Sequence, residues 1–492
     1  MSIYWEIMDL IEEEKQRQEN EICLIASENY MSEYVMDACG SVLINKYAEG
    51  YSGHRYYAGC EFIDKIENKA NELVRQLFNC KWSNVQPHSG THANQCVYKA
   101  LLKPDDTILA MDINSGSHIS HSLKSGFAGT FYNVVTYGLD ENGFLNYDEI
   151  KEKLYEYHPK LLIVGASAYP RIIDFERIRK IVDEYNEKNS YEKYETYLIE
   201  EYDNKGMERP QEMMSFYKDE KCYLMVDMAH IAGLVATGLH PSPLPYADVV
   251  TSTVQKTLRS GRGGIILSND EELGKKIDKA LFPQMSGGPL MNMIAGKAVG
   301  FGEALEPSFK TYQEQVLKNI QAMVEVFKDC GVKMITGGSD VHLILLDLKD
   351  ECFSGKDLET VLEKQGIITN KNAVQNDPKP KTETSGVRLG TACITTRGAT
   401  EEDAHQIALI ICANIDYMRN HNGGIPDAMY EYGKKWVKEW CEKHPIYEND
   451  KDDICTLKVD ESLKKPLKKI KIPNVENEDS MKAVFEGCSL NA

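Results

Sequence analysis

Five short apolar runs between residues 107 and 268 constrain the fold of this chain more than any other feature of its sequence. Each run is separated from the next by a segment with helical periodicity. Short apolar runs with helices between them are typical of a mainly parallel sheet that is buried on both faces. We therefore predict an α/β fold, with strands in the runs TILAMDI (107–113), LLIVGASAY (161–169), YLMVDMAH (223–230), DVVTSTV (248–254) and GGIILS (263–268).

A second group of elements follows residue 305. The pattern predicts a long helix over 312–329, an apolar strand over 341–348 and a helix near 403–419. These elements indicate a second, smaller domain of α/β or α+β type. At the other end of the chain, residues 1–20 are predicted to form an amphipathic helix rich in charge.

Two segments interrupt these patterns. Residues 183–221 are dense in charge and in tyrosine without periodicity, and we interpret them as a solvated insertion, with a partner-binding surface as the alternative. Residues 464–473 form a basic run, KKPLKKIKIP, within a polar C-terminal stretch. A solvated tail is the expectation there, and a basic targeting or lipid-binding patch is the alternative.

Composition narrows the class of function. The chain carries 56 basic and 76 acidic residues, a net charge of −20, whereas nucleic-acid binding needs clustered cations. No stretch approaches the about 20 apolar residues of a membrane span, and residues 1–20 lack the features of a signal or transit peptide. The 13 cysteines include no CxxC pair, which argues against a disulfide framework. We predict a cytoplasmic protein with no nucleic-acid partner, no membrane partner and no metal site.

The sharpest local signal is a pair of charged residues at predicted strand ends. Asp227 ends one strand, and Lys256 follows another strand 29 residues later. Carboxyl ends of parallel strands open onto the ligand crevice of an α/β sheet. There, a desolvated lysine can form a Schiff base with a carbonyl cofactor, and a carboxylate can hold a pyridinium nitrogen. Taken alone, such a pair is more often made of loop or salt-bridge residues.

Two glycine-containing motifs could bind a phosphate. Ser89-Gly90-Thr91 opens a helical pattern, and backbone N–H groups at a helix N-terminus attract anions. An ordinary helix cap is the simpler reading of that triplet. Gly287-Gly288 could approach the same phosphate from another loop or subunit, although a turn is its default interpretation.

Seven longer sequence segments, which we call blocks, are distributed over most of the chain. They occur in the order LIASENY (24–30), NKYAEGYSGHRYYAGCEFID (45–64), NVQPHSGTHAN (84–94), GASAYPRIIDF (165–175), the segment 226–264 around QKTLRSGRGG, SGGPL (286–290) and NKNAVQNDPKPKTETSGVRLGTACITTRG (370–398). In content and order they resemble the serine hydroxymethyltransferases, which are fold-type I pyridoxal-phosphate enzymes. The resemblance covers about residues 5–420.

The resemblance implies a domain organisation. It predicts an N-terminal helical arm over 1–27 and a large cofactor-binding domain over 28–305, with a mainly parallel seven-stranded sheet and the insertion 183–221. A smaller C-terminal α/β domain over 306–425 and a C-terminal extension over 426–492 complete the expected chain.

The resemblance also implies pyridoxal 5'-phosphate as the cofactor and assigns residues to it. Lys256 matches the lysine that forms the Schiff base, Asp227 the partner of the pyridinium nitrogen, and His118 the imidazole stacked on the ring. His230 matches the residue beside the phenolic oxygen. The other expected cofactor contacts are Ser89, Gly90, Thr91, Ser167, Thr253, Gly287 and Gly288.

On the substrate side, the resemblance makes Arg388 the clamp for the amino-acid carboxylate, assisted by Ser27. Glu49 matches the catalytic carboxylate beside the hydroxymethyl group and folate, and the catalytic Tyr57 lines the same pocket. The remaining expected substrate contacts are Tyr47 and, for the pteridine, Asn372. In the family, Tyr47, Glu49, Tyr57 and the Gly287-Gly288 pair belong to the neighbouring subunit, which implies a homodimer or homotetramer with shared sites.

The chain departs from the family pattern near the cofactor and folate positions. Gln255 stands where the family usually has histidine before the Schiff-base lysine, and Ser117 replaces a glycine. Ser286 replaces a glutamine, Gln375 a proline, and Thr391-Ala392-Cys393 the usual Thr-Pro-Ala. These differences bear on folate affinity and substrate preference more than on cofactor binding.

The function that the resemblance implies is that of a serine hydroxymethyltransferase, a transferase of one-carbon metabolism. It would interconvert L-serine plus tetrahydrofolate and glycine plus 5,10-methylenetetrahydrofolate, so its partners are small molecules. Two alternatives are a pyridoxal-phosphate aldolase that cleaves β-hydroxy amino acids without folate, and a non-catalytic paralogue that acts as a binding subunit.

Overall fold

A seven-stranded sheet with helices on both faces forms the centre of the protein. The computed structural model describes residues 3–204, 221–447, 475 and 477–487. Numbered along the chain after three short strands, the sheet strands are β4 (Trp82–Asn84), β5 (Thr107–Met111), β6 (Asn133–Tyr137), β7 (Leu161–Val164), β8 (Tyr223–Asp227), β9 (Val249–Thr253) and β10 (Gly264–Ser268).

Their order is β4-β10-β9-β8-β7-β5-β6. Strand β10 runs antiparallel to both of its neighbours, and the other pairs are parallel. The predicted α/β fold class and mainly parallel sheet are confirmed.

The remaining elements surround this sheet. The helices are α1 (Ile3–Asn20), α2 (Glu33–Cys39), α3 (Glu61–Phe78), α4 (Gly90–Leu101), α5 (Ile119–Ser122), α6 (Phe127–Phe131), α7 (Tyr147–Tyr157), α8 (Phe175–Asn204), α9 (Ala232–Ala236), α10 (Glu271–Lys279), α11 (Met291–Ala304), α12 (Pro307–Asp329), α13 (Gly355–Lys364), α14 (Ala392–Thr396), α15 (Glu401–Asn420), α16 (Asp427–Lys443) and α17 (Glu478–Gly487). The smaller strands are β1 (Ile22–Cys23), β2 (Gly50–Tyr51), β3 (His54–Arg55), β11 (Leu343–Asp347), β12 (Ile367–Ile368), β13 (Asn370–Asn372) and β14 (Gly386–Gly390).

The apolar runs form strands because both faces of the sheet are covered. Successive side chains of a strand point to opposite faces, and here both sets are buried. Leu162 and Val164 of β7 belong to one core cluster, whereas Leu161 and Ile163 belong to the cluster on the other face. Such two-sided burial accounts for continuous apolar runs in place of alternation.

The smaller sheet lies in the C-terminal half and is antiparallel, in the order β11-β14-β13. Its core includes Phe327 of α12 and Leu346 of β11. The same core takes in Ile22 of β1, whose strand pairs in parallel with β12. The N-terminal and C-terminal parts of the chain therefore share one hydrophobic core.

The C-terminal extension is not simply a solvated tail. Trp440 of α16 and Phe485 of α17 are buried in the core of the smaller sheet. The basic run 464–473 lies outside the described residues. The expectation of a solvated tail is therefore wrong for residues 478–487, because their apolar face completes that core.

The predicted insertion begins too early. Tyr185 is 1% exposed and lies in the main core. Asn186 bonds both backbone groups of Cys222, with distances of 2.8 Å to its N–H and 3.1 Å to its carbonyl. Helix α8 runs through residue 204, and residues 205–220 lie outside the described chain. The first residues of 183–221 therefore continue α8, and Tyr185 among them is part of the core, so the segment is not wholly a solvated insertion.

Helix α1 forms as predicted, with none of its residues buried. Its exposed apolar side chains include Ile3, Trp5, Leu10 and Ile11. Within the ranges that the structure describes, no helix is both long and apolar enough to cross a membrane.

Candidate active site

A cavity of about 820 Å³ opens at the carboxyl ends of the parallel strands. Strand ends at this edge of an α/β sheet converge on one crevice, which is why residues far apart in sequence meet there. The cavity brings together most of the residues singled out from the sequence: Ser27, Ser89, Gly90, Thr91, His118, Ser167, Asp227, His230, Thr253, Lys256 and Arg388.

Asp227, the last residue of β8, is held as an anion. Asn94 of α4 donates to its Oδ2 at 3.0 Å, and Nε2 of His121 lies 2.9 Å from the same oxygen. Burial acts to raise the pKa of Asp227, but the hydrogen bond and charge of His121 outweigh it, and the net shift is downward. A buried carboxylate that stays ionised suits a cationic partner such as a pyridinium.

His118 lies beside this pair, with its ring centroid 5.6 Å from that of His121. Its Nδ1 accepts the backbone N–H of Ser120 at 3.2 Å and lies 2.7 Å from the Ser120 hydroxyl. Burial lowers the pKa of His118 to about 4, so the imidazole is neutral near pH 7. A neutral, oriented ring in the wall of the cavity is suited to stacking.

Lys256 follows β9 and is 8% exposed. Burial lowers its pKa to about 8; Arg388 and Arg262 act in the same direction, whereas Asp227 opposes them. The backbone carbonyl of Lys256 accepts a hydrogen bond of 3.0 Å from Asn29, which fixes the start of the side chain. A lysine with a pKa near 8 is partly neutral at physiological pH and can act as a nucleophile.

Arg388 of β14 reaches the cavity from the smaller sheet. Its Nη1 donates to the Ser167 carbonyl at 2.6 Å, and its Nε donates to Asn370 at 3.1 Å. Burial lowers its pKa to about 10, so it remains a cation. No acceptor for Nη2 occurs among the described residues, which leaves that nitrogen for an anionic ligand.

The N-terminus of α4 forms the end of the cavity suited to a phosphate. Ser89 caps the helix, accepting the His92 backbone N–H at 3.1 Å. Gly90 lies so close to β9 that a Cβ there would be 2.6 Å from Cγ2 of Thr253. The Thr253 hydroxyl is buried without a partner in the described structure. A helix N-terminus, a close backbone approach and an unpaired hydroxyl match a phosphate-bearing ligand.

Six predicted site residues lie outside the cavity. Asn372 is one of them, and the other five form a cluster that we call the outer patch: Tyr47, Glu49, Tyr57, Gly287 and Gly288. The rings of Tyr47 and Tyr57 are 5.2 Å apart. A Cβ at Gly287 would lie 3.2 Å from Oε1 of Glu49, and one at Gly288 would lie 3.2 Å from the Tyr47 ring. The charge of Glu49 raises the pKa of Tyr57. The patch residues are therefore neighbours of one another.

Arg55 holds the loop of the outer patch against α3. Its guanidinium bonds Asp64 at 2.8 Å and Glu67 at 2.6 Å, and it donates to the carbonyls of Ala48 and Gly50 at 2.9 and 2.8 Å. These bonds bracket Glu49 on both sides along the backbone. The glutamate is thus presented on a fixed segment, although its own side chain is partly exposed.

The comparison with protein families matches the serine hydroxymethyltransferase model to residues 2–189 and 209–411. The chain belongs to the serine hydroxymethyltransferase family. The unmatched residues 190–208 fall inside the predicted insertion, which agrees with its being an addition to the family fold.

The residues that depart from the usual serine hydroxymethyltransferase pattern lie in different parts of the structure. Gln255 and Ser117 line the cavity, and the side-chain oxygen of Gln255 is buried without a partner in the described structure. Gln375, which follows β13, donates to the carbonyl of Leu139, which follows β6, at 2.8 Å. This bond joins the region of the smaller sheet to the region of the larger sheet. Neither Ser286 nor the predicted folate residue Asn372 lines the cavity; the Asn372 amide donates to the Ala373 carbonyl at 2.7 Å.

Four polar residues in the cavity wall or directly behind it were not singled out from the sequence: Asn94, His121, Arg262 and His342. His121 lies one helical turn after His118 in NSGSHISH, and that spacing was the available signal. His342 offered no such signal, because its neighbours, His230 after β8 and Ala26, are both distant from it in the sequence.

Proposed function

We propose that the chain transfers the hydroxymethyl group of L-serine to tetrahydrofolate, yielding glycine and 5,10-methylenetetrahydrofolate, with pyridoxal phosphate on Lys256. The observation that carries the proposal is the buried Lys256 amine, with a pKa near 8, in one cavity with the Asp227 carboxylate. Membership of the family supports this reaction type.

The cavity residues fit the cofactor by their chemistry. The N-terminus of α4 and the unpaired Thr253 hydroxyl would hold the phosphate. Asp227 would hold the pyridine N–H, and the neutral ring of His118 would cover one face. When bound, pyridoxal phosphate supplies an electron-accepting ring that stabilises negative charge at an amino acid's α-carbon when its bond to Cβ breaks.

Three groups of this chain act on the amino acid. Arg388 is anchored through Nε and Nη1, so its free Nη2 and the Ser27 hydroxyl can bind the carboxylate of serine. Lys256 would hold the cofactor through its carbonyl carbon and, because the pKa of its amine is near 8, could take up or return a proton at Nζ near neutral pH.

The outer patch would act in the site of a second copy of the chain. Glu49 would hold and move a proton beside the departing hydroxymethyl group, with Tyr47 and Tyr57 lining that side and Asn372 at the folate. The support is that the patch forms a polar, exposed cluster apart from the cavity of its own chain. We therefore propose a homodimer or homotetramer with shared sites; the cytoplasmic location and the domain bounds stay predictions.

The test is to load purified protein with pyridoxal phosphate and record its absorbance with glycine and tetrahydrofolate. A cofactor band that shifts only when both are present would support the proposal. Glycine production from serine must then require tetrahydrofolate. Production of glycine from β-hydroxy amino acids without any folate effect would favour the aldolase, and failure to bind the cofactor would favour the non-catalytic paralogue.

A further inference from the structure

Two buried histidines from different domains face each other behind the cavity. His230 follows β8 and lines the cavity, whereas His342 precedes β11. Nδ1 of His230 lies 3.4 Å from Nε2 of His342, and that Nε2 lies 3.1 Å from the carbonyl oxygen of Ala26. The two rings are nearly parallel, at 23° with centroids 5.5 Å apart. Neither histidine is more than 5% exposed.

The protons of this pair can be deduced from their partners. The Ala26 carbonyl can only accept, so Nε2 of His342 must carry its proton. A proton on Nδ1 of His230 would then face the proton on His342, with no acceptor between them. Nδ1 of His230 is therefore unprotonated, and the proton of the neutral His230 ring lies on Nε2.

The surroundings keep both rings neutral. Burial lowers the pKa of His230 well below its ordinary value, and the cations Lys256 and Arg388, together with His342 and His118, act in the same direction. Burial likewise lowers the pKa of His342 to about 3. The His230 backbone is fixed as well, since its carbonyl accepts the Thr257 hydroxyl at 2.8 Å. With the ring neutral, its tautomer decides what it offers to the cavity.

We propose that His342 is a positioning residue that fixes His230 as the Nε2–H tautomer, so that His230 presents a hydrogen-bond donor to an oxygen acceptor in the cavity. This rests on the proposed function, in which the acceptor is the phenolic oxygen of pyridoxal phosphate. Nε2 of His342 also bonds the carbonyl of Ala26, the residue before Ser27. His342 therefore connects the His230 donor to the predicted binding site of the substrate carboxylate.

The direct test uses cofactor-free protein with ¹⁵N-labelled histidine. Two-bond ¹H–¹⁵N NMR spectra distinguish the tautomers, and His230→Asn identifies the signal. We expect Nε2–H at His230 in the wild type and in His342→Gln, whose amide N–H can replace the Nε2 donor. His342→Phe removes the donor and should release Nδ1–H. His240→Phe, another buried histidine outside the cavity, should leave the signal unchanged.

The loaded enzyme gives the second measurement. His342→Phe should lower kcat/KM by about tenfold and introduce a new step in the pH titration of the cofactor absorbance, whereas His342→Gln should restore the wild-type titration. Nδ1–H at His230 in the wild type, or an equal loss in Gln and Phe variants with intact thermal unfolding, would overturn the inference. Inactive protein that keeps Nε2–H at His230 would instead count against the proposed function alone.

Discussion

The cavity and the outer patch contain residues of one predicted site, yet they differ in almost every physical respect. Cavity groups such as Arg388, which is buried, and Asp227, whose side chain is 9% exposed, are bonded to partners from distant elements. In the patch, Tyr47 is 56% exposed and Tyr57 is 45% exposed; their rings pack edge to face, and Tyr57 interacts with the charge of Glu49. One region is enclosed by its own chain, whereas the other leaves its side chains open to solvent in the described structure.

The difference in exposure determines how strongly charges and burial shift pKa values in each region. Burial shifts the pKa of Lys256, His118 and His230 far from their ordinary values, because little water screens them. In the exposed patch, solvent weakens the interaction of Glu49 with Tyr57. Covering the patch with a second copy would remove that water, so the patch groups should acquire their working properties only in the assembly.

The largest expected effect comes from removing the cavity lysine. Lys256→Ala should abolish the cofactor absorbance band and lower activity by more than about a thousandfold, because no other lysine among the described residues lines the cavity. Borohydride reduction of the loaded wild type, followed by peptide mapping, should find pyridoxyl on Lys256.

Lys297 is a second buried lysine and serves as an internal control for this peptide mapping. Burial lowers its pKa to about 7, so basicity alone would make it the more reactive lysine. Its ammonium, however, donates to the carbonyls of Val85, Pro87 and Gly264 at 2.7, 3.0 and 2.9 Å and is 1% exposed. Pyridoxyl on Lys297 would refute the assignment of the cavity as the cofactor site.

The next effect tests whether patch and cavity work across subunits. Lys256→Ala and Glu49→Ala should each be nearly inactive, because each removes a group needed at every site. Exchanging subunits of an equal mixture should restore about a quarter of wild-type activity, since half the dimers are mixed and each has one intact site. The measurement is activity before and after exchange, with exchange verified by differently tagged chains. No recovery in verified heterodimers would place Glu49 and Lys256 in the same chain's site.

A smaller expected effect is the pH dependence of cofactor addition, which depends on Lys256 in the cavity and not on the outer patch. Because burial lowers the pKa of Lys256 to about 8, its neutral amine increases as pH rises toward 8 and then levels off. The rate of cofactor addition to cofactor-free protein should therefore rise about tenfold per pH unit below 8 and flatten above it. Stopped-flow absorbance measures that rate. Glu49→Gln should keep the same profile, and a profile that continues rising to pH 10 would mean an unshifted lysine.

The smallest effect concerns Gln255, which lies beside Lys256 with its side-chain oxygen unpaired in the described structure. Histidine there can titrate near neutral pH, whereas glutamine cannot. Gln255→His should shift the ratio of kcat/KM for serine with folate to that for allo-threonine without folate toward serine. The expected shift is more than a few-fold, or about 1 kcal/mol. An unchanged ratio would mean that selectivity is set elsewhere, such as at the outer patch.

The sequence pattern predicted the elements whose structure is determined by residues close together in the chain. Asp227 and Lys256 could be assigned to strand ends because the apolar runs before them are long and uninterrupted. Strands β4 and β6 were not among the five runs. Strand β4 has only three residues, and β6 is a partly exposed edge strand, so neither shows a fully buried pattern. Of the outer patch, Gly287-Gly288 was singled out from the sequence itself, whereas Tyr47, Glu49 and Tyr57 were identified only through the family resemblance.

Other features could not be predicted because they depend on contacts between distant segments. His121 meets Asp227 across 106 residues, and His342 meets Ala26 across 316. In the sequence, Arg55 looks like an ordinary surface arginine. Only in the folded protein does α3 place Asp64 and Glu67 in contact with its guanidinium. Tyr185 likewise looks like part of a charged, tyrosine-rich segment, and only the fold of β8 against α8 buries it.

The pairing of β1 with β12 has a consequence for how the protein is made. Ile22 leaves the ribosome early, but its strand partner Ile367 is synthesised about 345 residues later, and Phe485 of the same core later still. At roughly 5–20 residues per second, this apolar segment waits tens of seconds for its partners. The large sheet can form during that interval, whereas the smaller core closes only near the end of translation. Chaperones that bind nascent chains should therefore engage the segment around residue 22.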